Sequence, residues 1–249
     1  MVWGMALPKN FGKFWPDGDF GSWSGDLVRY YMAQPPEMQL ALYDGNPDPV
    51  ERAVSYPHYV NGKFTNETGS RMSPRPEDPP FSPIKEHEAP QVFITGKTYD
   101  ELGSLVMFND GIVAVDDRLR KIIENFEPGS HQFFPIEIST PKGEVFQKLY
   151  TFVVGEYFDS FVPEKSDPDA FRELPDSDGK LSILGVPLSH AGPKKIIPSL
   201  ALSEDVFGRS HLWRERRFGE SITCFSDEIA SAIKEAGLSI PPIHQMKVV

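Results

Sequence analysis

The chain has 249 residues, a formal net charge of −11 and a sequence isoelectric point near 5.0. This charge disfavours a nucleic-acid partner, because contacts to the phosphate backbone depend on lysine and arginine, and it suits docking to a basic protein. The single cysteine, Cys224, excludes an intramolecular disulfide and a cysteine-cluster metal site. Because it lies in an apolar stretch, we expect a buried structural thiol.

The composition predicts a folded protein with long loops. Hydrophobic residues make up 39% of the chain and there are 24 prolines, while 18 phenylalanines supply large buried surfaces and argue against disorder. The N-terminus lacks a basic segment followed by an apolar one, and no apolar run approaches a membrane span. We therefore expect a cytoplasmic protein with no membrane contact.

The first 90 residues predict an irregular N-terminal region, ahead of an α+β domain at residues 91–249. Its aromatic side chains either pack on the body of the protein or form a binding face for carbohydrate or peptide. These residues are Trp3, Phe11, Phe14, Trp15, Phe20 and Trp23.

Prolines limit the regular structure that this region can form. A strand or short helix within 27–42 is expected to break at Pro35–Pro36, because proline removes a backbone donor. Within 45–90, continuous structure is expected only at Tyr56–Phe64. A loop of this length is typical of a binding segment, a linker or a mobile stretch, so it marks the boundary between the two regions.

The C-terminal quarter predicts a strand–helix–strand unit. An aromatic and arginine-rich strand at 212–218 and an apolar strand at 222–225 lead to Ser226, whose oxygen can cap a helix start. Apolar residues then recur at i, i+3, i+4 and i+7, and Gly237 suits the left-handed position after the helix. The segment 240–249 is extended.

A similar unit occurs earlier in the chain. Residues 112–115 are apolar, Asp116 or Asp117 caps a helix with one apolar face, and Phe133–Ile138 is extended. The overlay pairs Val115–Leu119 with Phe225–Ile229, and Pro135–Ile136 with Pro242–Ile243. The two units predict a pseudo-repeat around one core, although two unrelated capped helices would give the same pattern.

Acidic residues are concentrated at 156–178, after a strand or strand pair that is expected to bend at Gly155. The acidic segment is either a solvated loop or a docking face that imitates phosphate for a basic partner. The partner-binding candidates are Glu156, Glu164, Asp167, Asp169, Glu173, Asp176 and Asp178. Residues 176–179 open like a calcium loop, but no glutamate follows at the required distance, so we predict no metal site there.

A cluster of arginines lies close to the glutamates at 215 and 220, which predicts internal ion pairs rather than nucleic-acid contacts. The cluster comprises Arg209, Arg214, Arg216 and Arg217. Motifs for phosphate binding, for a serine nucleophile elbow and for a zinc protease do not occur. The six histidines have spacings that no common zinc module uses. We therefore expect a binding protein with no catalytic residue, cofactor or metal.

Several segments together resemble immunity protein family eleven of bacterial polymorphic toxin systems, which was formerly a domain of unknown function. The resemblance covers roughly residues 91–249. Its segments are Tyr150–Phe152, Phe158–Phe161, Glu164–Ser166, His211–Arg214, Phe225–Ile229 and Ala236–Leu238. The positions that match the family pattern, for which structural roles are expected, are Asp159, Ser166, Trp213, Arg214 and Ser226.

The resemblance implies a cytoplasmic antidote in interbacterial competition. Such a protein neutralises a cognate toxin, encoded nearby and often a nuclease, by direct stoichiometric binding. An acidic inhibitor would gain electrostatic steering toward a basic nuclease.

Two other functions stay open from the sequence. The first is an enzyme whose histidines and carboxylates meet in space, for example around His131, His211 and His244. The second is a scaffolding protein that uses its N-terminal aromatic residues. A deep pocket with converging histidines would favour the enzyme, whereas a flat acidic face would favour the inhibitor.

Overall fold

We describe residues 1–6, 8, 10–45, 48–65, 83–175, 181–185, 192–215, 218 and 222–249 of a computed structural model of the chain. Helices and strands occur throughout these residues, so the predicted α+β class is confirmed. None of the helices in this part of the chain has the length and apolar character needed to cross a bilayer.

The helices of the described residues are α1 Trp23–Met32, α2 Pro36–Leu42, α3 Pro49–Thr65, α4 Asp117–Phe126, α5 Pro193–Ile196, α6 Glu204–Phe207 and α7 Asp227–Glu235. The strands are β1 Val2–Met5, β2 Gly18–Asp19, β3 Val92–Thr95, β4 Leu105–Met107, β5 Val113–Val115, β6 Gln132–Ser139, β7 Val145–Val153, β8 Tyr157–Phe158, β9 Arg172–Pro175, β10 Leu181–Gly185, β11 Ala201–Leu202, β12 Leu212–Glu215, β13 Thr223–Ser226 and β14 Ile243–Val248.

Twelve of these strands form two six-stranded sheets, and β9 and β10 form a separate hairpin. The first sheet has the order β2-β3-β6-β7-β5-β4, and the second has the order β11-β14-β1-β13-β12-β8. The chain passes from one sheet to the other at Gly155, between β7 and β8. A Cβ atom on Gly155 would lie 1.8 Å from the carbonyl oxygen of Ser130, so only glycine fits. The predicted bend at this glycine is confirmed.

The two sheets repeat one topology. The row β4-β5-β7-β6-β3 corresponds to the row β12-β13-β1-β14-β11, and both rows consist of three antiparallel pairs followed by one parallel pair. Helix α4 follows β5 as α7 follows β13. The predicted pseudo-repeat is therefore confirmed, because two unrelated capped helices would not share strand order and direction.

The pairing register of the strands corrects one part of the predicted alignment of the two units. Val115 pairs with Tyr150, which pairs with Pro135. In the second sheet Phe225 pairs with Trp3, which pairs with Gln245. Pro135 therefore corresponds to Gln245 and not to Pro242, because Pro135 follows Val115 by the same 20 residues by which Gln245 follows Phe225.

The repeat is circularly permuted. Strand β7 follows β6 in the first unit, whereas the middle strand of the second unit is β1, from the start of the chain. Trp3 of β1 donates a hydrogen bond from Nε1 to Asp227 at 2.9 Å, in the first turn of α7. The expectation of an irregular N-terminal region is wrong for the described residues, since this region supplies a central strand and three helices. The division of the chain at residue 90 stays a prediction.

Helices α1 to α3 cover the outer face of the first sheet. The predicted break at Pro35–Pro36 is confirmed, because α2 begins at Pro36. Helix α3 is longer than the expected Tyr56–Phe64 and contains Pro57. The Asp48 carboxylate accepts the backbone N–H groups of residues 50 and 51 and so caps its start. One face of α3 is buried in the outer core, and this packing outweighs the hydrogen bond lost at proline.

Three cores run through the molecule. The outer one lies between the first sheet and α1 to α3, and the second lies between the other sheet and the segments that include Phe161, Ile197 and Phe207. A third lies between the units, where α4 and α7 pack with the inner faces of both sheets. Cys224 is fully buried in the second core, and burial raises the pKa of its thiol well above the usual value, so the predicted structural thiol is confirmed.

A buried ion pair fixes α3 to the turn Glu86–Glu88. Lys63 Nζ lies 2.5 Å from Glu88 Oε2, and both side chains are 1% exposed. Glu88 also accepts hydrogen bonds from the Tyr56 hydroxyl at 2.9 Å and from the backbone N–H of Lys85 at 2.8 Å. Burial lowers the pKa of Lys63, opposed by the hydrogen bond to Glu88. The carboxylate is thus the acceptor for three donors, two of which lie in the buried interior.

Replacing this carboxylate should destabilise the outer core. We expect Glu88→Gln to lower the free energy of unfolding by about 3–5 kcal/mol, because it leaves Lys63 charged and unpaired in the interior. Urea denaturation measures the change. The control is Glu137→Gln, which breaks the exposed pair with Lys148 and should change stability far less. Equal effects in both variants would contradict the role given to burial.

Candidate functional site

The described part of the acidic segment, residues 156–175, is joined to the second sheet by hydrogen bonds. Strand β8 pairs in parallel with β12. Ser160, two residues after the end of β8, donates its backbone N–H and its hydroxyl to Glu215 Oε2, at 2.8 and 2.7 Å. Ser160 and Glu215 are both buried. The segment therefore begins from a fixed point of the sheet.

Ser166 fixes the middle of the segment. Its hydroxyl donates to the carbonyl of Val162 at 2.9 Å and accepts the N–H of Ala201 at 2.8 Å. The next residue, Asp167, donates its N–H to the carbonyl of Ser199 at 2.9 Å. Ser166 is buried, so this family-pattern residue ties the acidic segment to the strand β11.

Between and after these two serines the segment displays carboxylates to solvent. Glu164, Asp167 and Asp169 are exposed, and Glu156 is half-buried. The Asp167 carboxylate accepts the N–H of Asp169 at 3.0 Å, which fixes its direction. Of the other candidates, the side chain of Glu173 and the residues Asp176 and Asp178 lie outside the described part of the chain. Because the loop is already fixed, little conformational entropy is lost when its carboxylates bind a partner.

Two family-pattern residues lie in the interior. Trp213 is fully buried, and its ring stacks on Phe207 at a centroid distance of 4.7 Å. Arg214 is 3% exposed and donates from Nη1 to the carbonyl of Thr65 at 2.8 Å, so it joins the second sheet to α3. Neither side chain can contact a partner without unfolding. Among the other arginines of the cluster, Arg209 is exposed, and 216 and 217 lie outside the described residues.

The remaining two family-pattern residues, Asp159 and Ser226, differ in their surroundings. Asp159 is exposed. Ser226 Oγ accepts the N–H of Ile229 at 3.4 Å and lies 2.8 Å from His211 Nδ1. It caps α7 as Asp116 caps α4, where the Asp116 carboxylate accepts the N–H of Leu119 at 2.7 Å. The hydroxyl of Ser226 thus has a structural use in the repeat.

Two of the three candidate histidines share one buried carboxylate, that of Glu127. His131 Nε2 lies 2.6 Å from Glu127 Oε2, and the backbone N–H of His211 donates to Oε1 at 2.5 Å. His131 Nδ1 accepts the N–H of Gly155 at 3.0 Å, so the proton of this neutral ring is on Nε2 and points at Glu127. Both carboxylate oxygens of Glu127 and both ring nitrogens of His131 thus have a structural partner.

The electrostatics of Glu127 follow from these contacts. Burial raises the pKa of its carboxyl, but the hydrogen bonds from His131 and from the backbone of His211 and Leu212 outweigh burial, so the pKa lies below its usual value. The charged form is the one that the fold requires. Because Glu127 directly follows α4 and His211 directly precedes β12, this carboxylate holds the two repeat units together.

The repeat supplies a reciprocal contact on the other side of the interface. Ser104 precedes β4 as His211 precedes β12, and each donates its backbone N–H across to the loop after the other unit's helix. Ser104 N–H donates to the carbonyl of Ser239 at 2.6 Å, and Ser239 N–H donates back to Ser104 Oγ at 3.3 Å. The interface thus uses a carboxylate on one side and a carbonyl on the other.

The third histidine lies elsewhere. His244 is in β14, and burial lowers its pKa, with a smaller effect from the Lys194 charge. His211 instead lines an open surface concavity of about 650 Å³ together with Arg209, Glu204 and Glu228. Within the described residues, the three histidines do not meet at one site, and no group of three His, Cys, Asp or Glu side chains could hold a metal ion.

The sequence did not reveal Glu127 or Glu88 as important residues. Glu127 precedes Pro128–Gly129 and there resembles any residue at a helix end, while Glu88 lies in a proline-rich stretch of mixed charge. Their burial depends on contacts with residues far away in the chain. No local pattern carries that information.

Comparison with known proteins gives one match. Residues 30–240 fit the sequence model of an immunity protein family, Imm11. The matched range begins inside α1, so it includes the helical layer and extends well before residue 91. No curated protein matches the chain.

We expect Glu127→Gln to lower the free energy of unfolding by about 2–3 kcal/mol at pH 7, because an amide cannot accept all the buried donors. The folded-state pKa of Glu127 lies below its unfolded value of about 4.3. As the pH falls, the unfolded chain therefore takes up a proton at Glu127 before the folded chain does. The stabilisation that the Glu127 charge supplies is complete above about pH 4.3 and is lost as the pH falls through the folded-state pKa. Urea denaturation from pH 7 to pH 3 should show the gap between wild type and variant closing. A constant gap would exclude the carboxylate charge as its source.

Proposed function

This chain belongs to the Imm11 immunity protein family. We propose that it is the cytoplasmic antidote to a cognate toxin encoded nearby, and that it neutralises this toxin by direct stoichiometric binding. The observation that carries the proposal is the family match over residues 30–240. The partner is a protein, and neither nucleic acid nor a membrane takes part. The protein blocks its target and does not act as an enzyme.

The charge of the chain supports a basic target, and we propose a nuclease. A nuclease that binds a phosphate backbone carries lysine and arginine at its active site. The exposed carboxylates of Glu164, Asp167 and Asp169 match such a surface in sign. The net charge of −11 adds long-range attraction, which speeds association.

The anchoring of the acidic segment supports its use as a contact surface. Ser160 and Ser166 fix the loop through buried hydrogen bonds, while the carboxylates between and after them face solvent. A contact surface of this kind needs no rearrangement on binding. We therefore assign the toxin-facing role to Glu156, Glu164, Asp167 and Asp169 and, by continuity of the sequence, to Glu173, Asp176 and Asp178.

Co-expression with the neighbouring toxin gene tests the function. We expect this chain to restore growth and to co-purify with the toxin in fixed stoichiometry. Glu127→Gln serves as a stability control, because it destabilises the fold without changing the acidic segment. At low temperature this variant should still rescue growth. Rescue without a complex would point to an enzyme that reverses the damage, and failure to rescue would overturn the proposal.

Charge reversal tests the acidic surface. We expect Glu164→Lys with Asp169→Lys to slow association about tenfold at low salt and to reduce its salt dependence, with a smaller change in dissociation. Asp167 is left intact because its carboxylate supports the loop. Stopped-flow or surface-binding kinetics measure both rates.

The matched control for charge reversal is Asp100→Lys with Glu101→Lys. Both residues are exposed and the change in net charge is identical. An equal loss of rate in the control would show that the total charge matters and the acidic segment does not.

A further inference from the structure

A surface concavity of about 760 Å³ is lined by residues of β1, of β14 and of the segment 194–198. Its charged side chains are lysines, and among the described residues that line it there is no aspartate or glutamate. We call this surface the basic concavity, and the residues that define it are Trp3, Lys194, Pro198, Ile243, His244 and Lys247.

The two lysines of the basic concavity have no opposite charge of their own. Lys194 and Lys247 are exposed, and neither makes an ion pair with a described residue. Burial lowers the pKa of His244, and the nearby Lys194 charge lowers it further, so these two side chains lie within electrostatic reach of each other. The chain has a net charge of −11, yet it gathers cations here without a carboxylate to match them.

The first repeat unit shows how the fold treats the corresponding position. By strand register, Glu137 of β6 corresponds to Lys247 of β14, and Lys148 of β7 corresponds to Met1. Glu137 and Lys148 form an ion pair at 2.9 Å. In the second unit a cation replaces the carboxylate and an uncharged side chain replaces the lysine. The second unit therefore leaves unmatched a charge that the first unit pairs within the sheet.

The basic concavity borders the acidic segment. Asp167 of that segment donates its backbone N–H to the carbonyl of Ser199 at 2.9 Å. The residue before Ser199, Pro198, lines the concavity. The two surfaces are therefore neighbours, and the sign of the charge changes from negative to positive between them. A protein that covers the acidic segment also lies beside the basic concavity.

Charge selects what enters the concavity. Two ammonium groups attract an anion, but a nucleic acid or an anionic membrane would be repelled by the neighbouring carboxylates and by the net charge of the chain. A second copy of the chain would be repelled by that net charge as well. A carboxylate carried by a basic protein satisfies both surfaces at once.

We propose that the basic concavity receives an acidic side chain of the toxin, whose carboxylate pairs with Lys194 and Lys247, and this inference rests on the proposed function. The apolar wall of Trp3 and Ile243 covers the methylene groups of that side chain. Two neighbouring contacts of opposite sign fix the orientation of the toxin, because a shifted or reversed complex would bring like charges together.

Reversing the charge of the two lysines tests the sign of the partner's charge. For Lys194→Glu with Lys247→Glu, we expect the dissociation constant for the neighbouring toxin, carrying an inactivating substitution, to rise at least about tenfold, mainly through faster dissociation. If only cations of the toxin faced this surface, the same change would tighten binding instead. Isothermal titration, association kinetics and thermal unfolding are measured on the full chain. The milder pair Lys194→Ala with Lys247→Ala should weaken binding less and keeps the test valid if the glutamate variant unfolds.

The matched control is Lys97→Glu with Lys142→Glu, which makes the same change in net charge at two exposed lysines in turns of the first sheet. Weaker binding by the variants of the concavity, with unchanged or tighter binding by the control, supports the proposal. Equal weakening by the control overturns it.

The remaining outcomes separate this site from the proposed function. Equal or tighter binding by the variants of the concavity overturns the site and leaves the proposed function intact, whereas absence of binding by the wild-type chain overturns both. Binding of inorganic phosphate by the chain alone, lost in the lysine variants, would assign the concavity to a free anion. Self-association lost in the same variants would assign it to a second copy. Either of these last two results overturns the proposal.

Discussion

The inner faces of the two sheets are buried against each other together with α4 and α7, and the arrangement of the rest of the molecule follows from that burial. The apolar faces of α4 and α7 pack against each other and against the inner faces of both sheets. The polar groups at the edges of this core must then be satisfied without water. Glu127 meets this need on one side and the Ser104–Ser239 contact on the other. With the inner faces occupied, α1 to α3 and the segments around Phe161 and Ile197 are left to cover the outer ones.

The local elements of both units could be predicted from the sequence because their signals are local. Ser226, Gly237 and the apolar periodicity between them define α7 within a dozen residues, and Asp116 does the same for α4. Strand β1 could not be predicted in this way. Val2–Met5 resembles any short aromatic stretch until its neighbours β13 and β14 are known, and these are at the other end of the chain. Helix α3 was missed before Tyr56 because the prolines at 47 and 49 indicated a loop, whereas Pro49 stands at the first helical position, where proline is tolerated.

The candidate site, too, could be predicted only in part from the sequence. The acidic segment was visible as a run of carboxylates, but its anchoring by Ser160 and Ser166 depends on partners in β11 and β12. In the proposed complex, the long-range charge of this segment governs how fast the partners meet.

The position of β1 has a consequence for synthesis of the chain. The ribosome makes this strand long before its partners β13 and β14, so the second sheet cannot close until both of them have been made. Such distant pairing slows folding, and an apolar strand that waits for its neighbours is open to mispairing. A truncated product would lack β13 and β14 and keep an unpaired β1. The cell therefore obtains a complete second unit only after β14 has been made.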